Sequence, residues 1–136
     1  MTTFTPGRLI TNDTELREHW VGLMGEEDFE KRSLWLIFVE HDQRVAPVVV
    51  PIDDIPMDPD DDTLAEVSTF IVRARDELGV ASIPMLLSRP GTARMTDTDR
   101  RWARALASAF EDQQPQWPIH LATRQRVQVF APDDLL

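Results

Sequence analysis

The sequence predicts an α/β fold, a mixed sheet of about five strands flanked by three helices in the order α-β-β-α-β-α-β-β. Three observations carry that expectation. Three segments repeat their apolar residues at helical spacing behind a capping residue, short continuous apolar runs lie between them, and strand-like pairs flank a helix–strand–helix unit. With 136 residues, 42% hydrophobic and 28% charged, the chain has the size and composition of one domain over 1–136, with 1–11 and 131–136 as terminal extensions.

The first helix is expected over 13–24. Asn12 and Glu15 have capping-box spacing, Leu16, Trp20, Leu23 and Met24 form one apolar stripe, and Gly25 stops it. A polar stretch over 26–32 leads into 34–39 (Leu-Trp-Leu-Ile-Phe-Val), a run that reads as a strand buried on both faces. Residues 41–44 turn the chain into a second strand over 45–50. Pro47 cannot donate to a ladder, which puts that strand at an edge or beside an irregularity. Residues 51–62, rich in Pro and Asp, are expected to form a surface loop.

The second helix is expected over 64–78, with Thr63 and Glu66 at capping-box spacing and Gly79 at its end. Leu64, Val67, Ile71, Ala74 and Leu78 would line its inner side. Residues 83–87 (Ile-Pro-Met-Leu-Leu) read as a buried strand and 88–95 as a loop. Thr96, with Asp99 three positions on, caps a third helix that buries Trp102, Leu106, Ala109 and Phe110 and leaves Arg100, Arg101 and Arg104 wet. Residues 117–122 and 127–130 form a closing hairpin around 123–126.

Charge narrows the classes of partner. The net charge of −10 argues against nucleic acid, whose nonspecific binding depends on neutralising phosphates. Residues 1–66 carry 16 acidic and 5 basic side chains, whereas 67–136 carry 8 and 9, so the second half is the place for an anion site. Thirteen of the 14 basic residues are arginine, which fits the coding bias of a GC-rich genome. No cysteine is present, so disulfides and thiolate metal sites are excluded. Neither a leader pattern nor an apolar run of membrane-spanning length is found, and the chain is expected in the cytoplasm, away from membranes.

The element order and the stretch from Ile83 to Phe130 resemble the RadC-type DNA repair proteins of the JAB/MPN (cytidine-deaminase-like) metalloprotease fold. In that family a buried strand ends in His-x-His-Pro, a helix opens with Ser-x-x-Asp, and a later strand bears Asp-His. Here the corresponding places hold Ser88-Arg-Pro-Gly91, Thr96-Asp-Thr-Asp99 and Ile119-His120. The hairpin over 34–50 looks like the family's first hairpin. The chain is also similar to actinobacterial proteins with an Ala-Pro-Asp-Asp-Leu tail, which bring no activity with them. The resemblance puts the metal-binding histidines at Leu87 and Arg89, and of the ligand set only Asp99 matches by type. One carboxylate does not hold a catalytic zinc, which takes three protein ligands, and Arg89 sets a permanent positive charge where a cation would sit. Leu87, Arg89 and Asp99 are thus expected to be a degenerate metal site, with no metal and no cofactor.

The residues themselves suggest other candidate sites. Asp58, Asp60, Asp61 and Asp62 suggest a cation loop, but an EF-hand needs Gly at its sixth position and Glu at its twelfth, where Thr63 and Thr69 stand. Ser88 and His120 suggest a nucleophile and base without a Gly-x-Ser-x-Gly elbow or an orienting acid. Arg89, Gly91, Thr92, Arg94 and Thr96 fall in a strand-to-helix loop suited to a phosphate or carboxylate, with a structural salt bridge from Arg89 to Asp97 or Asp99 as the competing reading. Trp20, Trp35, Trp102 and Trp117 fall within expected elements and read as core. No catalytic set emerges. The leading expectation is a non-catalytic JAB-like domain that has lost its metal site and acts as a protein-binding or scaffold module, with a protein partner or self-association through a sheet edge. The alternative is a sensor of a small anionic metabolite at the Arg89–Thr96 loop, and the third a divergent hydrolase.

Overall fold

The computed structural model describes residues 7–25, 29–111, 116–124 and 126–135. Its elements are α1 (Asp13–Met24), β1 (Ser33–Val39), β2 (Val45–Asp53), α2 (Asp61–Leu78), β3 (Met85–Ser88), α3 (Asp97–Ala109), β4 (His120–Thr123), β5 (Arg126–Val129) and a closing 3-10 turn, Pro132–Leu135. The order of helices and strands is the one the sequence predicts. The strands form one mixed sheet, β2-β1-β3-β4-β5. β1 is antiparallel to both β2 and β3, β3 is parallel to β4, and β4 is antiparallel to β5. The parallel step is the one that needs a long crossover, and α3 supplies it.

The apolar run of β1 is explained by its central place. Leu34, Leu36 and Phe38 point to one face and join the cluster under α2 and α3, with Met85, Leu87, Trp102, Leu106 and Leu121. Trp35 and Ile37 point to the other face and join Leu16, Trp20, Leu23 and Met24 of α1, with Leu86, Ala122 and Val127. The result is three layers, with α2 and α3 on one face and α1 on the other. Trp102 and Trp20, the two largest fully buried side chains, anchor the two faces.

β2 is an edge strand, and its pairing slips where Pro47 falls. Ile37 pairs with Val49 but Val39 with Val45, so two residues advance on β1 while four advance on β2. Both edges are blunted. Pro47 and Pro51 remove two donors from β2, and on β5 the Val127 carbonyl accepts from Arg17 Nη2 at 3.2 Å.

Several boundaries depart from expectation. Residues 51–53 continue β2 and are not loop, with Pro51, Ile52 and Asp53 opposite Trp35, Leu34 and Ser33; an edge strand tolerates the missing donor of Pro51. α2 starts at Asp61, not Leu64, because Asp60 is the cap and its Oδ1 accepts from the Thr63 amide at 2.7 Å. Asp61 and Asp62 then sit in the positive first turn. β3 begins at Met85; Ile83 and Pro84 precede it, although the Pro84 carbonyl still accepts from the Ile37 amide. Leu78 is exposed, as is Ala109, whose expected place in the α3 stripe is taken by Ala103. At the N-terminal side, the Gly7 and Ile10 amides bond the Val45 and Gln43 carbonyls at 2.8 Å, and Ile10 is fully buried, so 7–10 belong to the folded body. No helix among the described residues is long and apolar enough to cross a membrane.

Candidate functional site

The C-terminal end of β3 delivers Arg89 into the layer between the sheet and α3, where it is 5% exposed. A guanidinium carries five N–H donors, and all five are used inside the protein. Nε and Nη2 bind the two oxygens of Asp99, each at 2.7 Å. Nη1 donates to the Pro90 and Thr92 carbonyls at 3.1 and 2.9 Å, and Nη2 to the Arg94 carbonyl at 2.9 Å. The loop between β3 and α3 is therefore wrapped around a cation of the chain's own.

Asp99 holds the pair from the other side. Its residue is 1% exposed, and its Oδ2 also accepts from the Thr96 amide at 2.8 Å, while the Thr96 hydroxyl accepts from the Asp99 amide at 3.2 Å. This reciprocal capping box starts α3. Arg32 Nη1 lies 3.8 Å from Asp99 Oδ1. Burial alone would raise the Asp99 carboxyl, but hydrogen bonds from Arg89 and from the Thr96 backbone outweigh it and hold the group below the usual carboxylate range. Asp99 is thus ionised at neutral pH with both oxygens engaged.

The structure brings Arg89, Thr92, Arg94, Thr96 and Asp99 together, but mostly through backbone. Thr92 and Arg94 contribute carbonyls, and the two residues themselves are exposed. Gly91 has φ +98, and a Cβ there would lie 3.4 Å from Arg89 Nη1. Leu87, two residues before Arg89, is buried on the same face of the sheet. Arg32 had no signal of its own in the sequence. It arrives because Ser33 pairs with Ser88, which sets Arg32 and Arg89 side by side just beyond the paired ends of β1 and β3.

The acidic loop resolves into separate structural roles. Asp58 Oδ1 accepts from Arg101 Nε and Nη2 at 2.9 and 2.6 Å. Asp60 caps α2, and Asp61 and Asp62 fill its first turn. Beside them, Trp102 Nε1 donates to the Pro56 and Met57 carbonyls, pinning the loop to α3. Among the described residues no group of three His, Asp or Glu side chains is placed to hold a metal ion.

Ser88 and His120 lie on adjacent parallel strands but two positions out of register, since Leu86 is the partner of His120. The Ser88 hydroxyl accepts from Trp35 Nε1 at 2.9 Å. His120 is 1% exposed; burial, with Arg17 nearby, lowers its pKa to about 4 against the opposing hydrogen bond to the Pro118 backbone. His19, on α1, is likewise lowered to about 4 by burial and by Arg8. Both are neutral at pH 7. A scan of protein-family models matches none of them to this chain, and a search of curated proteins finds no match.

Proposed function

We propose that this chain is a degenerate JAB/MPN domain of the RadC-like type, in which an arginine replaces the metal and the domain works by binding a protein partner. The observation that supports the reading is the pairing of Arg89 with Asp99. In the resembled family Leu87, Arg89 and Asp99 mark the ligand positions, and here they sit on one face of β3 and at the start of α3. A carboxylate that would face a cation instead faces a guanidinium with every donor used. Such a pair fixes the loop and the helix start, and leaves neither Asp99 oxygen open to act as a base.

A scaffold role fits what the domain retains: a three-layer body with an organised strand-to-helix loop. The blunted edges of β2 and β5 weigh against self-association by strand pairing, so the partner proposed is a different protein meeting the loops or helix faces.

The family reading is tested by restoring the ligands. A Leu87→His/Arg89→His double variant is expected to bind zinc with stoichiometric affinity in calorimetry, since two histidines and Asp99 complete a three-ligand set. A folded double variant that binds no zinc would contradict the alignment, as would zinc binding by the unaltered chain. The module reading is tested by affinity capture from native lysate and reconstitution with the purified partner, and empty captures across growth states would count against it.

A further inference from the structure

The end of the domain opposite Arg89 holds a cavity of different chemistry. α3 stops at Ala109, and the chain enters β4 through Pro118 and leaves β5 through Pro132. The Phe130 amide donates to the Ile119 carbonyl at 2.9 Å, which holds those two stretches side by side. Between them and the end of α3 lies a cavity of about 540 Å³, within the roughly 300–1,000 Å³ usual for small-molecule sites. Leu106, Phe110, Ile119 and Phe130 line it and are themselves buried members of the core under α3. Val129, also in the lining, is 43% exposed, so the cavity runs from solvent down to the core.

Charge selects the occupant. Asp13 is the only charged side chain among the described residues of the lining, and no hydrogen bond or ion pair engages its carboxylate among them. Arg17, one turn further along α1, is held by the Val127 carbonyl at 3.2 Å. Nearby, Asp134 is paired with Arg100 at 3.5 Å, and Arg104 and Glu111, one of each sign, line the adjoining groove. The end of α3 adds the negative pole of its helix, and its last turn carries no basic residue to offset it. Three aromatic residues, Phe110, Trp117 and Phe130, share the lining, and an aromatic face attracts a cation. Trp117 is fixed there by the bond from its Nε1 to Ser82 Oγ at 2.9 Å. The geometry points to a site for a hydrophobic cation of small-molecule size, an amine or quaternary ammonium. Its apolar part lies against Leu106, Ile119 and Phe130, and its charge lies between Asp13 and the aromatic residues. A chain of net charge −10 also raises the local concentration of such a ligand. Met85 places the cavity at the start of β3, whereas Arg89 follows the strand's end, so this site and the lost-metal reading stand or fall separately.

Titration of the ¹⁵N-labelled chain with benzyltrimethylammonium tests the site, with benzyl alcohol and phenylacetate as neutral and anionic comparators. Saturable shifts of the Trp117 indole N–H and the Val129 and Phe130 amides are expected with the cation, weaker ones with the alcohol and none with phenylacetate. Asp13→Asn keeps the Asn12 cap of α1 and is expected to weaken binding about fivefold, the worth of one solvent-facing ion pair. Val129→Lys sets a cation at the mouth and should abolish binding. Absence of saturable shifts at these groups, a comparator that binds as tightly as the cation, or unchanged affinity in either variant would overturn the site.

Discussion

The two faces of the sheet bury polar groups in opposite ways. Under α2 and α3 lies a full charge, Arg89, met by Asp99 and three carbonyls, and the indole N–H of Trp102 has two acceptors. Under α1 the described buried titratable groups are the neutral His19 and His120, each with an arginine nearby, and the indole N–H of Trp20 and Nδ1 of His120 have no hydrogen-bond partner among the described residues. One orphan, Thr123 Oγ1, lies on the strand β4 beyond Leu121 and so belongs to the first face. Burial thus has two stable solutions for an ionisable group. It is either paired to saturation or held neutral, and each solution fails under a different challenge.

The sharpest break on the first face is Asp99→Ala. It strands a buried guanidinium, and the expected cost is ~4 kcal/mol in urea unfolding. On the second face the challenge is acid. A histidine with a depressed folded-state pKa takes its proton more readily when unfolded, so stability falls as pH drops from 6.5 toward about 4. The expected loss is about 3 kcal/mol for each histidine, and replacing His120 by Gln should flatten its share of the pH profile. Asp99 acts in the same direction but in a more acid window, because its lowered carboxyl keeps its stabilising share until pH falls below the ordinary value of 3.8. Between pH 6.5 and 4 the α1 layer should therefore loosen first, seen as amide exchange in α1 rising before that of α2 and α3. Thr96→Ala removes the cap hydroxyl but leaves its amide on Asp99, and about 1 kcal/mol is expected. The smallest effect belongs to Arg101→Ala, whose bond to Asp58 is exposed on both sides and should cost about 0.5 kcal/mol.

Much of the fold was legible because its elements obey simple periods. β1 reads as a central strand since apolar residues fill both of its faces, and α1 and α3 carry their caps and stripes in plain view. The misread boundaries share a cause. Residues 51–53 and 60–63 are written in Pro and Asp, which serve equally as loop, edge-strand and cap residues, and only the partner strand or amide decides between them. The docking of 7–10 carries no period at all, since it depends on backbone bonds to the hairpin turn.

The site was legible in part. The Arg89–Asp99 pairing is reachable from sequence because a strand end and a helix start joined by a short loop must lie close. The capture of three carbonyls is not, because carbonyl direction depends on backbone angles such as the positive φ of Gly91. Arg32 was hidden for a different reason: it joins Asp99 only through the register of β1 on β3.

Arg89 serves inside the domain as the counterion of Asp99. A double-mutant cycle with Arg89→Met, Asp99→Ala and both together tests it most directly by equilibrium unfolding. Strong coupling of several kcal/mol is expected, with the double variant more stable than Asp99→Ala alone because the stranded charge is gone. Single effects that add within about 0.5 kcal/mol would contradict the account.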